Sequence, residues 1–374
     1  MGESLKPTLT RWQFLGLLAA AGITATAGYA LYNYAPWLKD DESARQGRRP
    51  LVKSDGGFSP QRELVRCATL AASGHNAQPW KFVLREDAIE LHPDFTRRLP
   101  AVDPDNRELW ISLGCALENL LVAARATGFE PAVSFPAAAD FIRIRLTSGA
   151  PPGDPLFVAI ARRQNTRSAF DGRPVNPAVF DRLQAMPLEP GIGLRLVVTP
   201  GELTTVGEYV SRGNLNQFAD RAFVTELIQW VRFNKREALA SLDGLHSSCM
   251  GTPEVPRWLG RLVLSNTKPE KEAEADVAKL RSSPGVVVIT SDTDDKTAWV
   301  RTGQVYERLA LTLTSLDLKL AFLNQPIEVA GIRGQFRSAL GLGPAQPQLI
   351  VRFGYADALP QSLRRPVDDV IVPA

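Results

Sequence analysis

The densest group of side chains able to meet a ligand is Ser73-Gly74-His75-Asn76-Ala77-Gln78-Pro79-Trp80. It follows a helix-like run, Pro60 to Ala72, and precedes a strand-like one, Lys81 to Leu84. Proline disfavours helix in the residue before it, so an extended exit is expected at Gln78. The Ser, His and Asn groups would then be displayed on a fixed turn, with backbone donors open to a ligand. Taken alone, the same residues also describe an ordinary polar turn. Two arginine groups stand apart from it. One is Arg162-Arg163-Gln164-Asn165-Thr166-Arg167, entered from the apolar run LFVAIA, and the other is Arg364-Arg365-Pro366 after Gly354-Tyr355. Singly, each also reads as a solvated patch.

These groups must be held by a sizeable scaffold. At 374 residues the chain favours two domains or one large two-lobed one. A net charge of +3, without a basic tract interleaved with aromatics, argues against nucleic acid. Cys67, Cys115 and Cys249 have no C-x-x-C spacing, and the first two fall in apolar helical patterns as small core residues. Disulfides and zinc are not expected. His75, His92 and His246 are too few and too scattered for a multi-histidine metal centre.

An internal repeat organises the elements. Trp110, Gly114, Glu118 and Leu120 recur as Trp299, Gly303, Glu307 and Leu309, each displaced by 189 positions. Both segments are helical by period, and Trp and Gly four apart share a face. A strand follows each: FIRIRL at Phe141 to Leu146, and QLIVRFGY at Gln348 to Tyr355. The fold class is therefore α+β, two fused halves, each with helices on a mainly antiparallel sheet. Residues 58–150 form the first half and 151–374 the second, with a charged helical insertion over 212–283. That insertion reads either as a lid or as a peripheral hairpin.

Residues 1–57 read as a signal-like or membrane-anchor segment plus linker. Trp12 to Leu38 carries no formal charge, and Phe14 to Leu31 is long enough to cross a bilayer as a helix. Ala25-Thr26-Ala27 offers a small-residue cleavage site. Lys39, Arg45, Arg48, Arg49 and Lys53 outnumber Lys6 and Arg11, which favours a cytoplasmic face. Thr10-Arg11-Trp12-Gln13-Phe14-Leu15 resembles a twin-arginine signal with Trp12 in place of the second arginine, which favours export or a periplasmic-side anchor.

The run at 73–80 resembles the S-x-x-N-x-Q-P-W signature of the nitroreductase-like flavoproteins, matched by Ser73, Asn76, Gln78, Pro79 and Trp80. The likeness is to their two-lobed Acg-type branch, over Pro60 to Val372. It implies that the loop, with Ser73, His75, Asn76 and Gln78, lies against the flavin ring of FMN. It implies a phosphate cradle from Arg163, Asn165 and Arg167, with Asn165 replacing the usual hydroxyl, and from Arg364 and Arg365. A phosphate suits several guanidinium forks, which bind it bidentately and stay charged. Gln325 joins the implied set, because Gln325-Pro326-Ile327-Glu328 falls where the family brings backbone donors near flavin N5. Glu328 itself would cap or pair locally. In such enzymes two subunits share each flavin. Here the loop lies in one half and the arginines in the other, so the resemblance implies an intramolecular pseudo-dimer, a monomer, holding one FMN at the seam.

The implied activity is two-electron hydride transfer through flavin N5 to a nitroaromatic or quinone-like acceptor. The flavin carries that chemistry, so no catalytic residue is assigned. No G-x-G-x-x-G follows a strand, so NAD(P)H, the possible donor, would stack on the flavin rather than occupy a site of its own. The alternative is a flavin-sequestering protein with little turnover.

Overall fold

The structure is a computed structural model. It describes residues 22, 24, 27, 28, 47–49, 59–136, 140–149, 151 and 153–373. Apart from those few early positions, the signal or anchor segment and linker over 1–57 lie outside the described residues. Among the described residues, one helix is long and apolar enough to cross a membrane, Arg107–Ala126, and it is buried in the core.

The first half runs α1 (Pro60–Thr69), β1 (Trp80–Leu84), β2 (Ala88–Pro93), α2 (Arg107–Ala126), β3 (Phe129–Ser134) and β4 (Ile142–Ser148). The second opens with α3 (Phe157–Arg162), α4 (Pro177–Gln184) and β5 (Ile192–Val197). A helical block follows: α5 (Pro200–Ala219), α6 (Arg221–Trp230), β6 (Val231–Arg232), α7 (Lys235–Ser241), β7 (Leu245–His246), α8 (Arg257–Ser265) and α9 (Pro269–Arg281). The chain then returns through β8 (Gly285–Ser291), α10 (Lys296–Ser315), β9 (Lys319–Phe322), α11 (Gln325–Glu328), α12 (Ala330–Ala339), β10 (Gln346–Gly354) and α13 (Val367–Val370).

The two four-stranded sheets have one topology. Their orders are β1-β2-β4-β3 and β5-β8-β10-β9, and every pairing is antiparallel. β5, β8, β9 and β10 thus take the places of β1, β2, β3 and β4. The halves differ where β1 meets β2 through a short turn, whereas α5 to α9 separate β5 from β8. The insertion read over 212–283 falls inside this block, whose first helix starts earlier, at Pro200. Proline at its first turn and the Thr199 hydroxyl accepting from Glu202 N–H fix that start.

The repeated helices meet each other. A Cβ on Gly114 would lie 2.0 Å from the carbonyl oxygen of Val300, and one on Gly303 would lie 2.0 Å from that of Ile111. These contacts exchange under the displacement of 189 positions, so the seam between α2 and α10 is self-complementary like a twofold interface. Only glycine permits so close a backbone approach. One apolar core, including Leu113, Leu117, Val305, Leu309 and residues of both sheets, runs across the seam. The chain end crosses back: Ile371 bridges Phe82 and Val372 N–H donates to Phe82 O, extending the first sheet.

Candidate functional site

The loop after α1 is more contorted than an extended exit. His75, Asn76 and Gln78 have φ of 49°, 52° and 54°, in the left-handed region that costs L-residues roughly 1–2 kcal/mol each. Hydrogen bonds offset this cost. Ser73 Oγ accepts from Gln78 N–H at 3.0 Å, and Asn76 Nδ2 donates to Gly244 O at 3.1 Å and Leu363 O at 3.3 Å. Gln78, fully buried, donates to Leu242 O at 2.9 Å and accepts from the Arg365 backbone N–H at 2.9 Å. Asn76 and Gln78 therefore strap the loop to the helical block and the chain end.

Ser73, Gly74 and His75 face the other way, into a cavity of about 250 Å³ walled by both halves. From the second half come Asn165, Arg167, Asn324 and Gln325. Glu108, Ser112 and Cys115 of α2 form the floor. The helical block roofs it with Gln217 and Phe218 of α5, Phe223 of α6, and Glu272, Asp276 and Lys279 of α9. Gly213 lets α5 pack closely on this site, since a Cβ there would lie 2.6 Å from the Gln325 backbone.

Charge inside the cavity is uneven. Arg167 lines the cavity with an exposed side chain, and makes no direct hydrogen bond or ion pair among the described residues. Desolvation lowers its pKa, while the more distant Asp276 and Glu328 oppose that. Asp276 is already engaged by Gln325 Nε2 at 2.7 Å, Lys279 Nζ at 2.9 Å and Asn214 Nδ2 at 3.2 Å. Gln325 Oε1 is buried without a hydrogen-bond partner. Burial and Arg167 lower His75 to about 4, so its ring is neutral near pH 7. Burial, then Glu328, pushes Glu108 well above the usual carboxylate range. Glu328 is also raised by burial, and its Oε2 accepts from Gln217 Nε2 at 2.5 Å. The two acids together are thus disposed to retain a proton.

The remaining arginines lie off the cavity wall. Arg163, buried, pairs with Glu307 at 2.8 Å and donates to Leu70 O at 3.0 Å. Arg364 donates to Thr69 O at 2.8 Å and to Leu70 O and Ala71 O at 3.3 Å, satisfying carbonyls at the end of α1. Arg365 Nη2 donates to Asp369 O at 2.8 Å. Arg48, which the sequence reading placed in the linker, donates to Ala161 O at 2.9 Å, and its Nη2 is buried without a partner. Burial, then Arg163, lowers Arg48 to about 9; burial, then Arg48 and Arg163, holds Arg364 well below the usual arginine range. Arg48, Arg163 and Arg364 thus share Glu307 as a counter-charge, beside Leu70 to Ala72, which lead to Ser73 on the cavity wall.

Of the ten residues expected to hold a cofactor, the structure brings Ser73, His75, Asn165, Arg167 and Gln325 to one cavity. Asn76, Gln78 and Arg365 lie behind the loop, and Arg163 and Arg364 sit at its α1 end. The sequence reading did not reach Arg48, Glu108, Gln217 or Asp276. Glu328 was read as pairing locally, whereas its partner lies on α5.

No protein-family model matches the chain. It is 28% identical over 329 residues to "Putative NAD(P)H nitroreductase Rv3131" of Mycobacterium tuberculosis H37Rv, covering 83% of this chain and 90% of that protein. It is 26% identical over 326 residues to "Putative NAD(P)H nitroreductase acg" of the same strain, covering 83% and 94%. Among solved structures, the FMN-bound nitroreductase of Desulfitobacterium hafniense aligns with TM-score 0.36 and 15% identity, over 59% of this chain and 98% of that one. The nitroreductase NfnB of Mycobacterium smegmatis, in complex with NADPH, aligns with TM-score 0.34 and 14% identity, over 53% and 86%. The likeness to nitroreductase-like proteins, Acg included, thus extends over most of the chain.

Proposed function

We propose that the chain is an oxidoreductase that binds one FMN in the cavity between its halves and takes electrons from NADH or NADPH. The observation that carries this reading is Arg167, an exposed guanidinium on the lining of a cavity built from both halves, with no hydrogen-bond or ion-pair partner among the described residues. The residues present fit the cofactor. Arg167, Asn165, Ser73 and the unpartnered Oε1 of Gln325 offer donors and an acceptor to its ring system. The partnerless Nη2 of Arg48 would offer a donor to a dianionic phosphate, while Arg163 and Arg364, whose guanidinium groups already meet Glu307 and the carbonyls of Thr69, Leu70 and Ala71, would add positive charge. Bound there, FMN would supply two-electron hydride transfer to a nitroaromatic or quinone-class acceptor.

The protein's own part is orientation and electrostatics. Asn76 and Gln78 hold the strained loop so that Ser73 and His75 face the cavity. Arg167 and Lys279 present positive charge, and the neutral His75 ring adds none. Glu108 and Glu328, both on the cavity lining, are disposed to retain a proton that would serve a bound group as it is reduced.

A second reading, flavin sequestration with little turnover, is favoured by the roof. The cavity falls just below the roughly 300–1,000 Å³ usual for ligand sites. Entry of cofactor and substrate together therefore requires α5 or α9 to move. Steady-state oxidation of NADH and NADPH with menadione decides between the two. Turnover supports the enzyme; bound yellow FMN that neither dinucleotide bleaches supports sequestration. We further infer, from the apolar N-terminal segment, export or a periplasmic-side anchor; cell fractionation with protease accessibility tests it, and full protection in intact spheroplasts opposes it.

A further inference from the structure

Outside the cavity, a second cluster places a thiol, an imidazole and a carboxylate in series. Cys249 lies in the turn Ser247–Met250 between β7 and α8. The His246 ring has Nδ1 3.8 Å from Cys249 Sγ and Nε2 2.9 Å from Glu254 Oε1. Glu254 Oε2 accepts the Lys235 backbone N–H at 2.9 Å, which fixes that carboxylate. Burial alone would lower the His246 pKa, yet hydrogen bonds to Cys249 and Glu254 carry it up to about 9. Arg48 and Arg364 also lie near enough to feel charge on Cys249. The other two thiols are buried, which raises Cys67 to about 11 and Cys115 further still.

We propose that Cys249, His246 and Glu254 form a nucleophilic thiol site that reacts with small hydroperoxides. The arrangement is the nucleophile–imidazole–carboxylate series that activates a thiol, with the carboxylate orienting the ring. The His246 ring is protonated near neutral pH, so the thiol proton leaves to solvent and the thiolate is held by the imidazolium. Sulfur attacks one peroxide oxygen, an S–O bond forms and the O–O bond breaks. Sulfur is oxidised by two electrons to sulfenic acid, and the peroxide is reduced to water or an alcohol, whose oxygen takes a proton from His246 that solvent then restores. Cationic Arg48 and Arg364 stabilise the negative charge carried between these steps. Cys249 is partly exposed, so a small peroxide has access. None of this requires the flavin reading.

The test is site-resolved mass spectrometry of the full natural chain after brief hydrogen peroxide treatment and dimedone trapping. At pH 6.5, Cys249 is expected to label at least tenfold faster than Cys67 or Cys115. His246→Asn is expected to lower that rate about tenfold, with the two proteins converging by pH 9. Glu254→Gln should lower it less. Ser248 Oγ is 3.1 Å from the same Nδ1, and Ser248→Ala should leave the Cys249 rate intact. Continued protection of Cys67 and Cys115 shows that each variant is folded; should His246→Asn lose it, Glu254→Gln carries the test. Equal labelling of all three cysteines, or a Cys249 rate unmoved by the folded His246 or Glu254 variant, overturns the proposal.

Discussion

Gly114→Ala tests whether the two halves meet as a self-complementary seam. The added Cβ would start 2.0 Å from Val300 O, and separations under 3.0 Å are essentially never seen, so α2 and α10 must part by at least about 1 Å. Overpacking of a tight core costs typically about 1–3 kcal/mol, and the clash here is with backbone rather than a side chain that can swing away. Alanine recovers about 1 kcal/mol of helix propensity relative to glycine. A net loss of about 2 kcal/mol is expected, or roughly 2–3 °C in Tm at this size. Gly303→Ala should cost about the same, because it meets Ile111 O at the same 2.0 Å. Parting the helices relieves both clashes, so the double variant should fall short of the sum by about 1 kcal/mol or more. Urea unfolding of the three variants and the parent measures this. Costs that add within about 0.5 kcal/mol, or single variants as stable as the parent, would refute the shared-seam reasoning. Ile111 and Cys115 of α2 also line the cavity, so FMN retention should fall with stability.

Other expectations follow from the same geometry. Arg167→Ala should weaken FMN binding by about 1.5–3 kcal/mol, a loss of roughly 10- to 150-fold, through removal of a charged contact; fluorescence titration reads it, and unchanged affinity would remove Arg167 from the site. Arg48→Ala should leave the flavin-free fold as stable or more so, since it removes a buried unpaired Nη2, yet lower FMN affinity. Arg364→Ala should instead destabilise the fold by about 1–2 kcal/mol, since it strips donors from three carbonyls. His75 gives a pH signature. Its folded pKa, about 4, lies below the unfolded value of about 6.5, so the unfolded chain binds the extra proton between them. Its contribution is full above about pH 6.5 and falls as pH drops towards 4, by at most about 3 kcal/mol. His75→Gln should flatten that part of a urea-stability profile, and an unaltered slope would count against a ring held neutral by the fold.

What the residues announced and what they concealed divide along physical lines. The repeat Trp110-Gly114-Glu118 against Trp299-Gly303-Glu307 was legible because helix periodicity and small-residue faces are local patterns, and both sheets follow from it. Yet the matched carboxylates diverge: Glu118 pairs with Arg308 at 2.8 Å and Glu307 with Arg163 at 2.8 Å. Proline after Gln78 suggested an extended exit, but its φ is 54° and its buried side-chain amide donates to Leu242 O of the helical block. The resemblance implied a phosphate fork at Arg364; the carbonyls at the end of α1 that its guanidinium meets appear only once the chain end crosses back. The insertion over 212–283 read as helical, yet its helices break at Val231–Arg232, which pair with Leu245–His246. Glu108 and Glu328 are 220 positions apart, so no local spacing could reveal that they share a floor.

Flavin stoichiometry tests the central claim most directly. Protein purified with FMN in excess and then desalted should carry one FMN per chain, by absorbance against amino-acid analysis. Arg167→Ala should lose most of it. A colourless protein that takes up no FMN, or one that holds two per chain, would contradict a single site shared by the two halves.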